Sequence, residues 1–140
     1  MISDQDVIFS DDQAVTASAI STNIVQVDGL GDIMGDSSVE EDIFLNLQVT
    51  TTTASSGSTT LDVDLVSHSA VPTNATYSVL KVLDDVAKAS LVQGYAVSRN
   101  LRGIPLKEYT GLYFTVAVAN FTAGNFRAWL SRTPFASNQI

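Results

Sequence analysis

Few residues of this sequence have the types and spacing that catalysis requires, and His68 is the first of them. It is the only histidine among 140 residues, and Ser67 and Ser69 flank it. A serine nucleophile needs a histidine base that a carboxylate orients, and these serines lie in no nucleophile-elbow pattern. We therefore expect His68 to be a solvated loop residue and the protein not to be an enzyme.

Asp62 and Asp64 form a second candidate site. They are two positions apart on a candidate strand, which places both carboxylates on one face, roughly 7 Å apart. Glycosidases use two carboxylates at comparable separations. Outward-facing charges on a half-exposed strand produce the same pattern, and we expect that simpler arrangement.

The segment 28–42 is rich in glycine and acidic residues, as calcium-binding loops are. Its carboxylates recur every four residues at Asp28, Asp32 and Asp36, whereas an EF-hand alternates them and ends with Glu at position twelve. Counted from Asp28, that position is Val39. We expect a solvated loop, and the sequence predicts neither a metal site nor a cofactor.

Arg127 and Trp129 are the side chains best suited to non-covalent recognition. They share one face of the candidate strand 125–132, opposite Phe126 and Leu130. Trp and Arg are the residue types most enriched in interface hot spots. This face is either a contact surface or part of the packed interior of a sandwich.

An acidic segment precedes the first candidate strand. Residues 1–13 combine Asp11 and Asp12 with the apolar Phe9 and show no strand period, which predicts an extended N-terminal arm that orders on a neighbouring molecule. Phe9 is its best anchor, because a buried aromatic side chain contributes a large contact area. The predicted partner interface comprises Phe9, Asp11, Asp12, Arg127 and Trp129.

The elements that must position these residues are β-strands. Val, Ile and Thr make up 38 of the 140 residues, and branching at Cβ favours a pleated sheet. Short apolar runs separated by turn residues predict an all-β, jelly-roll-like sandwich over residues 14–132, followed by a tail at 133–140. Its seven to eight short antiparallel strands are expected at 13–19, 23–27, 44–49, 60–66, 76–82, 91–97, 109–118 and 125–132.

Two connections of this sandwich carry predictions of their own. Residues 83–90 form either two helical turns or a loop. Residues 121–124 end in Gly124, which suits a positive φ, so they predict a hairpin between the last two strands.

The overall charge argues against some functions. Seven basic and fifteen acidic residues give a net charge of −8, whereas nucleic-acid binding needs a basic surface. The absence of cysteine excludes a disulfide scaffold and a cysteine nucleophile. No segment approaches the roughly 20 apolar residues of a membrane span.

The charges are also unevenly distributed along the chain. Residues 1–80 carry −12 and residues 81–140 carry +4. In one interpretation, strands from both halves interleave and the charge difference between the halves disappears in three dimensions. In the other, the fold has a two-signed surface, with one acidic and one basic region, that docks on a complementary array of protein neighbours.

Several short segments follow one another in the order that is typical of one protein family. They are Phe9–Ala19, Ser21–Val25, Leu91–Tyr95, Ile104–Leu106, Tyr113–Val116 and Phe121–Gly124. In this order they resemble the capsid cement (decoration) proteins of short-tailed phages of the Bordetella-phage type, over nearly the whole chain. The acidic run 40–42 and the tail 134–140 depart from that pattern.

The resemblance implies a jelly-roll-like fold that assembles as homodimers on the outer surface of an icosahedral phage capsid. There the protein would bridge major capsid subunits, with no catalysis, cofactor, nucleic acid or membrane involved. Assembly in the bacterial cytoplasm agrees with the absence of cysteine. The alternative is a small β-sandwich module that binds a carbohydrate or a receptor.

Overall fold

The computed structural model describes residues 8–26 and 42–131, and these residues form an all-β fold. Short 3-10 turns occur at Ala75–Tyr77 and Lys88–Ser90. The strands are β1 (Ile8–Ala14), β2 (Ala19–Ile20), β3 (Val25–Gln26), β4 (Phe44–Ala54), β5 (Thr60–His68), β6 (Ser78–Ala87), β7 (Ala96–Asn100), β8 (Tyr109–Ala117) and β9 (Ala123–Ser131). None of the helices in these two ranges is long and apolar enough to span a membrane.

The strands form two antiparallel sheets. Sheet 1 has the order β1-β9-β4-β7, and sheet 2 has the order β2-β8-β5-β6. The short strand β3 pairs with β8 next to β2, so β2 and β3 together occupy one edge of sheet 2. Most consecutive strands lie in different sheets, which is the winding of a jelly roll. The predicted jelly-roll-like sandwich is confirmed.

The core lies between the two sheets. Leu45 and Leu47 of β4 face inward from sheet 1, and Leu61 and Val63 of β5 face inward from sheet 2. The rings of Phe114 and Phe126 meet across the core with their centres 5.5 Å apart. Burial of each large apolar side chain contributes about 1.5–3 kcal/mol, so the alternation seen in β4 and β5 directly stabilises the sandwich.

The predicted N-terminal arm is wrong for residues 8–13. These residues belong to β1, which pairs with β9 from Ile8 opposite Trp129 to Ala14 opposite Asn125. Phe9 is only 1% exposed and packs in the core, so it is not available as an anchor on a neighbour. The amide of Asn23 donates a hydrogen bond to the Phe9 carbonyl oxygen at 2.9 Å. The remainder of the predicted arm, residues 1–7, lies outside the described residues, as does the tail.

Two predicted connections also differ from the structure. Residues 83–87 continue β6, and only Lys88–Ser90 forms a 3-10 turn. The last two strands do not form a hairpin, because β8 belongs to sheet 2 and β9 to sheet 1. Gly124 nevertheless has a φ of 146°. A Cβ at this position would lie 2.9 Å from Cγ2 of Thr53, so the crossing between sheets requires glycine.

Candidate functional site

The outer face of sheet 1 brings Arg127 and Trp129 together. The guanidinium carbon of Arg127 lies 5.0 Å from the centre of the Trp129 ring. Asp11 of β1 adds an acidic partner, with Oδ1 at 3.8 Å from Nε of Arg127. The Trp129 side chain is 9% exposed, whereas Arg127 and Asp11 are exposed. The face therefore presents one positive and one negative side chain, Arg127 and Asp11, around the largely covered ring of Trp129.

Asp12 lies at the edge of this face in a fixed conformation. Its φ is 59°, in the left-handed region that Asp tolerates better than most residues. Its carboxylate accepts a hydrogen bond from Oγ1 of Thr50 at 2.5 Å, and Asn125 donates to the same carboxylate at 3.3 Å. Asp12 therefore joins β1 to β4 and β9. The structure places four of the five predicted interface residues on one surface, and Phe9 lies in the core instead.

A buried polar network lies beside Trp129 and was not predicted. Asn46 of β4, which pairs with Trp129, is fully buried although it alternates with core residues. Ser98 donates to its Oδ1 at 2.7 Å, and its Nδ2 donates to Oγ of Ser131 at 2.7 Å. The two-residue alternation along β4 predicts that Asn46 faces away from the core. A single sequence contains no signal that this outward-facing side chain is buried.

Sheet 2 carries a charged cluster on its outer face. Nζ of Lys81 lies 3.6 Å from a carboxylate oxygen of Asp62 and 3.6 Å from one of Asp64. Asp64 also accepts a hydrogen bond from Ser78 at 3.0 Å, and Asp62 accepts one from the backbone amide of Asp85. Asp64 is only 4% exposed, so the expectation of an ordinary solvated charge is wrong for this residue.

The pKa of Lys81 reflects this cluster. Desolvation by burial lowers the pKa of the ammonium group, but the carboxylates of Asp64, Asp62 and Asp84 outweigh it. The net effect raises the pKa of Lys81 above its ordinary value. The lysine therefore stays charged between Asp62 and Asp64 and neutralises part of their charge.

His68 ends β5 and stacks on Tyr77. The two ring centres are 3.7 Å apart and the planes differ by 9°. Neighbouring Ser67 is buried, and its hydroxyl accepts a hydrogen bond from the backbone amide of Lys107 at 2.6 Å. That hydroxyl also lies 2.9 Å from Oγ1 of Thr110. Ser67 thus connects β5, β8 and the segment before β8, which is a structural role.

The acidic segment considered for calcium lies outside the described residues, except Asp42. The pKa of Asp42 is lowered, first by a hydrogen bond from Asn100 and then by one from Arg102. Nδ2 of Asn100 lies 3.2 Å and Nη1 of Arg102 lies 3.1 Å from Oδ1 of Asp42. Residues 8–26 and 42–131 contain no group of three or more His, Cys, Asp or Glu that could hold a metal ion.

Charges from the two halves of the sequence are mixed in the fold. Arg127 pairs with Asp11, Arg102 pairs with Asp42, and Lys81 pairs with Asp62 and Asp64. Each of these basic residues comes from the second half and each acidic partner from the first. For the described residues, the strands interleave and the predicted two-signed surface does not arise.

Comparison with known proteins extends these observations. The model of one protein family, Bbp16, matches residues 9–130, from the first core residue of β1 almost to the end of β9. The chain belongs to the Bbp16 family. The name Bbp16 indicates a Bordetella phage protein, in agreement with the phage part of the resemblance seen in the sequence. A search of curated proteins gave no match for this member of the Bbp16 family.

Proposed function

We propose that this Bbp16-family protein is a capsid cement protein. It binds the exterior of an icosahedral phage shell and stabilises contacts between major capsid subunits. The observation that carries the proposal is the family match over residues 9–130, which spans nearly all of the described sandwich. The protein would thus belong to the virion and act by binding, without catalysis.

The outer face of sheet 1 supports this function as one contact surface. Arg127 is exposed and belongs to a residue type that dominates interface energetics, while Trp129 lies beneath it and is largely covered. Asp11 pairs with the arginine, and Asp12 lies at the edge of the face. Many copies on one shell bind multivalently, so weak individual contacts can still hold the assembly together. On this proposal the partner is the major capsid protein, and no contact with nucleic acid or membrane is involved.

The proposal is tested with phage particles that lack the protein. They should lose packaged DNA at a lower temperature or a milder osmotic shock than complete particles, and purified protein added back should restore resistance. Copurification of the protein with shells gives an independent measurement. Equal stability of particles with and without bound protein contradicts the proposed function.

We also propose that the functional unit is a homodimer, since a closed two-fold pair is the commonest symmetric assembly. Analytical ultracentrifugation of the free protein and a cryo-electron microscopy map of the particle measure this directly. A map that shows isolated monomers on the shell rules the dimer out.

A second candidate function is binding of a carbohydrate or a receptor. The stacked pair of His68 and Tyr77 favours it, because Tyr77 is 39% exposed and presents an aromatic ring at one end of the sandwich. A glycan array is the direct test. Binding that is lost in Tyr77→Ala, together with no affinity for shells, would favour this second function over the first.

A further inference from the structure

Among the described residues, the connections at one end of the sandwich carry no acidic side chain. Four connections meet there, residues 15–18, 55–59, 88–95 and 118–122, and we name this end the acid-free pole. Its single charged residue is Lys88, whose Nζ donates a hydrogen bond to the Ser55 carbonyl oxygen at 2.8 Å. The acidic residues of the described chain lie on strands or at the opposite end, and they are Asp11, Asp12, Asp42, Asp62, Asp64, Asp84, Asp85 and Glu108.

The register of the strands brings these four connections together. Thr60 pairs with both Ala87 and Ala117, and Ala54 pairs with Ala123. The ends of β4, β5, β6, β8 and β9 therefore lie at the same end of the sandwich, as does Val15, whose amide donates to the Gly124 carbonyl oxygen.

Hydrogen bonds between the connections make the acid-free pole rigid. The amide of Phe121 donates to the Thr16 carbonyl oxygen at 2.9 Å. Thr59 is fully buried, and its hydroxyl donates to the Ala119 carbonyl oxygen at 2.9 Å. The amide of Lys88 donates to the Thr59 carbonyl oxygen at 3.1 Å. Each connection is thus fixed by at least one other.

Val118 projects from this rigid pole. It is 79% exposed, and its φ is 77°, a left-handed conformation that a β-branched residue rarely adopts. Such strain persists only where the surroundings enforce it, and it is concentrated at functional positions. Val92, also exposed, lies in the connection 88–95 of the same pole. The fold therefore keeps the apolar side chain of Val118, an apolar knob, exposed to solvent, where it contributes little to the core.

We propose that the acid-free pole docks on the capsid shell, with Val118 inserted into an apolar hollow on an uncharged surface of a shell subunit. The inference rests on the proposed function and adds a second contact surface to the face of Arg127 and Trp129. A protein that bridges two subunits needs two such surfaces. The cores of protein interfaces are depleted in charged residues, which is the composition of this pole in a chain of net charge −8.

A second copy of the chain is the alternative occupant of this pole, and the test below distinguishes it from a shell subunit. In a two-fold contact the same patch serves on both partners, so each Val118 would have to enter a hollow within that same patch. Insertion of a knob needs a partner surface with a hollow, which a different protein can supply.

The test compares two valine substitutions in co-sedimentation with purified shells that lack the protein. Val118→Asp should weaken binding by at least ~10-fold, because it places a charge in the interface core. Val71→Asp is the matched control, since Val71 is 55% exposed at the opposite end, and it should bind within about twofold of the wild type. Equal binding by both variants overturns the proposal.

Val118→Gly separates docking from folding. Glycine adopts a positive φ without strain, so this variant should melt no lower than the wild type while it still loses shell binding. Retained binding in Val118→Gly contradicts the proposal. A shift from dimer to monomer in Val118→Asp with unchanged shell binding would overturn it in favour of a second copy.

The salt dependence adds an independent measurement. The fold loss of binding in Val118→Gly should change little with ionic strength, because this substitution removes an uncharged contact, whereas salt weakens contact through the charged face of Arg127. If wild-type protein does not bind shells at all, the proposed function fails. If the wild type binds and Val118→Asp binds equally well, only the role of the acid-free pole fails.

Discussion

The ammonium group of Lys81 on β6 lies 3.6 Å from a carboxylate oxygen of Asp64 on β5, and Asp64 is almost completely buried. A buried carboxylate without a partner is costly, because desolvation penalises its charged form. Among the described residues, Ser78 alone would remain as its side-chain partner if the lysine were removed. This pair therefore fixes the edge strand β6 against β5.

Lys81→Met should lower the free energy of unfolding by about 1–2 kcal/mol, because Asp64 loses its counter-charge. Urea denaturation followed by circular dichroism measures the change. Lys107→Met is the control, since Lys107 is exposed and the described part of the chain shows no ion pair for it. Equal losses in the two variants would mean that the ion pair contributes nothing.

The Lys81 contribution should depend on alkaline pH. The pKa of Lys81 is raised in the folded protein, so its stabilising contribution is fully present below the ordinary value of 10.5 and is lost as the pH rises through the higher folded-state value. The stability difference between wild type and Lys81→Met should therefore shrink above pH 10.5. A difference that stays constant to higher pH contradicts this linkage.

Phe9→Ala should destabilise the sandwich by about 3–5 kcal/mol, because it opens a cavity in the core. Thermal melting is the measurement. Asp11→Ala, two positions along the same strand and exposed, should change the stability by less than about 0.5 kcal/mol. A Phe9→Ala variant that melts like the wild type would restore the interpretation of residues 1–13 as a separate arm.

Arg127→Ala should expose the only tryptophan of the protein. The guanidinium group covers the Trp129 ring, and its loss should cost about 0.5–1 kcal/mol. Acrylamide should then quench the intrinsic fluorescence more strongly. Arg102→Ala is the control, because Arg102 pairs with Asp42 instead. Identical quenching in wild type and Arg127→Ala would show that the arginine does not cover the ring in solution.

Gly124→Ala should destabilise the protein by about 1–3 kcal/mol, since alanine is strained at positive φ. The new Cβ would also crowd Cγ2 of Thr53. Thr53→Ser removes that methyl group and keeps the hydroxyl, so the double variant should recover part of the loss in chemical denaturation. No recovery would show that backbone strain alone accounts for the effect.

The strand β5 could be predicted from the sequence, whereas β1, the second half of β6 and the position of β7 could not, since the strand expected at 91–97 is Ala96–Asn100. In β5 the alternation of Leu61, Val63 and Leu65 with acidic residues predicted both the strand and its inward face. The pairing of β1 with β9 shifts register twice, and that of β6 with β5 shifts three times. Each shift interrupts the two-residue alternation of inward and outward side chains. Without that alternation, the sequence of β1 was interpreted as an arm and the end of β6 as a possible helix.

The candidate site was predicted in part for a related reason. The spacing of Arg127 and Trp129 showed that they share a face, because that relation is local. The partners Asp11 and Thr50 come from strands that are distant in sequence, and their contacts depend on the order of strands within sheet 1. The same order decides that β8 and β9 belong to different sheets.

The pairing of β1 with β9 has a consequence for how the molecule is made. Asn125 donates a hydrogen bond to the carbonyl oxygen of Asp12, a residue 113 positions earlier. During translation, β1 leaves the ribosome long before its partner strand exists. Sheet 1 can close only after β9 has emerged, and folds dominated by such distant pairings form in milliseconds to seconds. Until then Phe9 of β1, which is buried in the finished fold, has no complete core in which to pack.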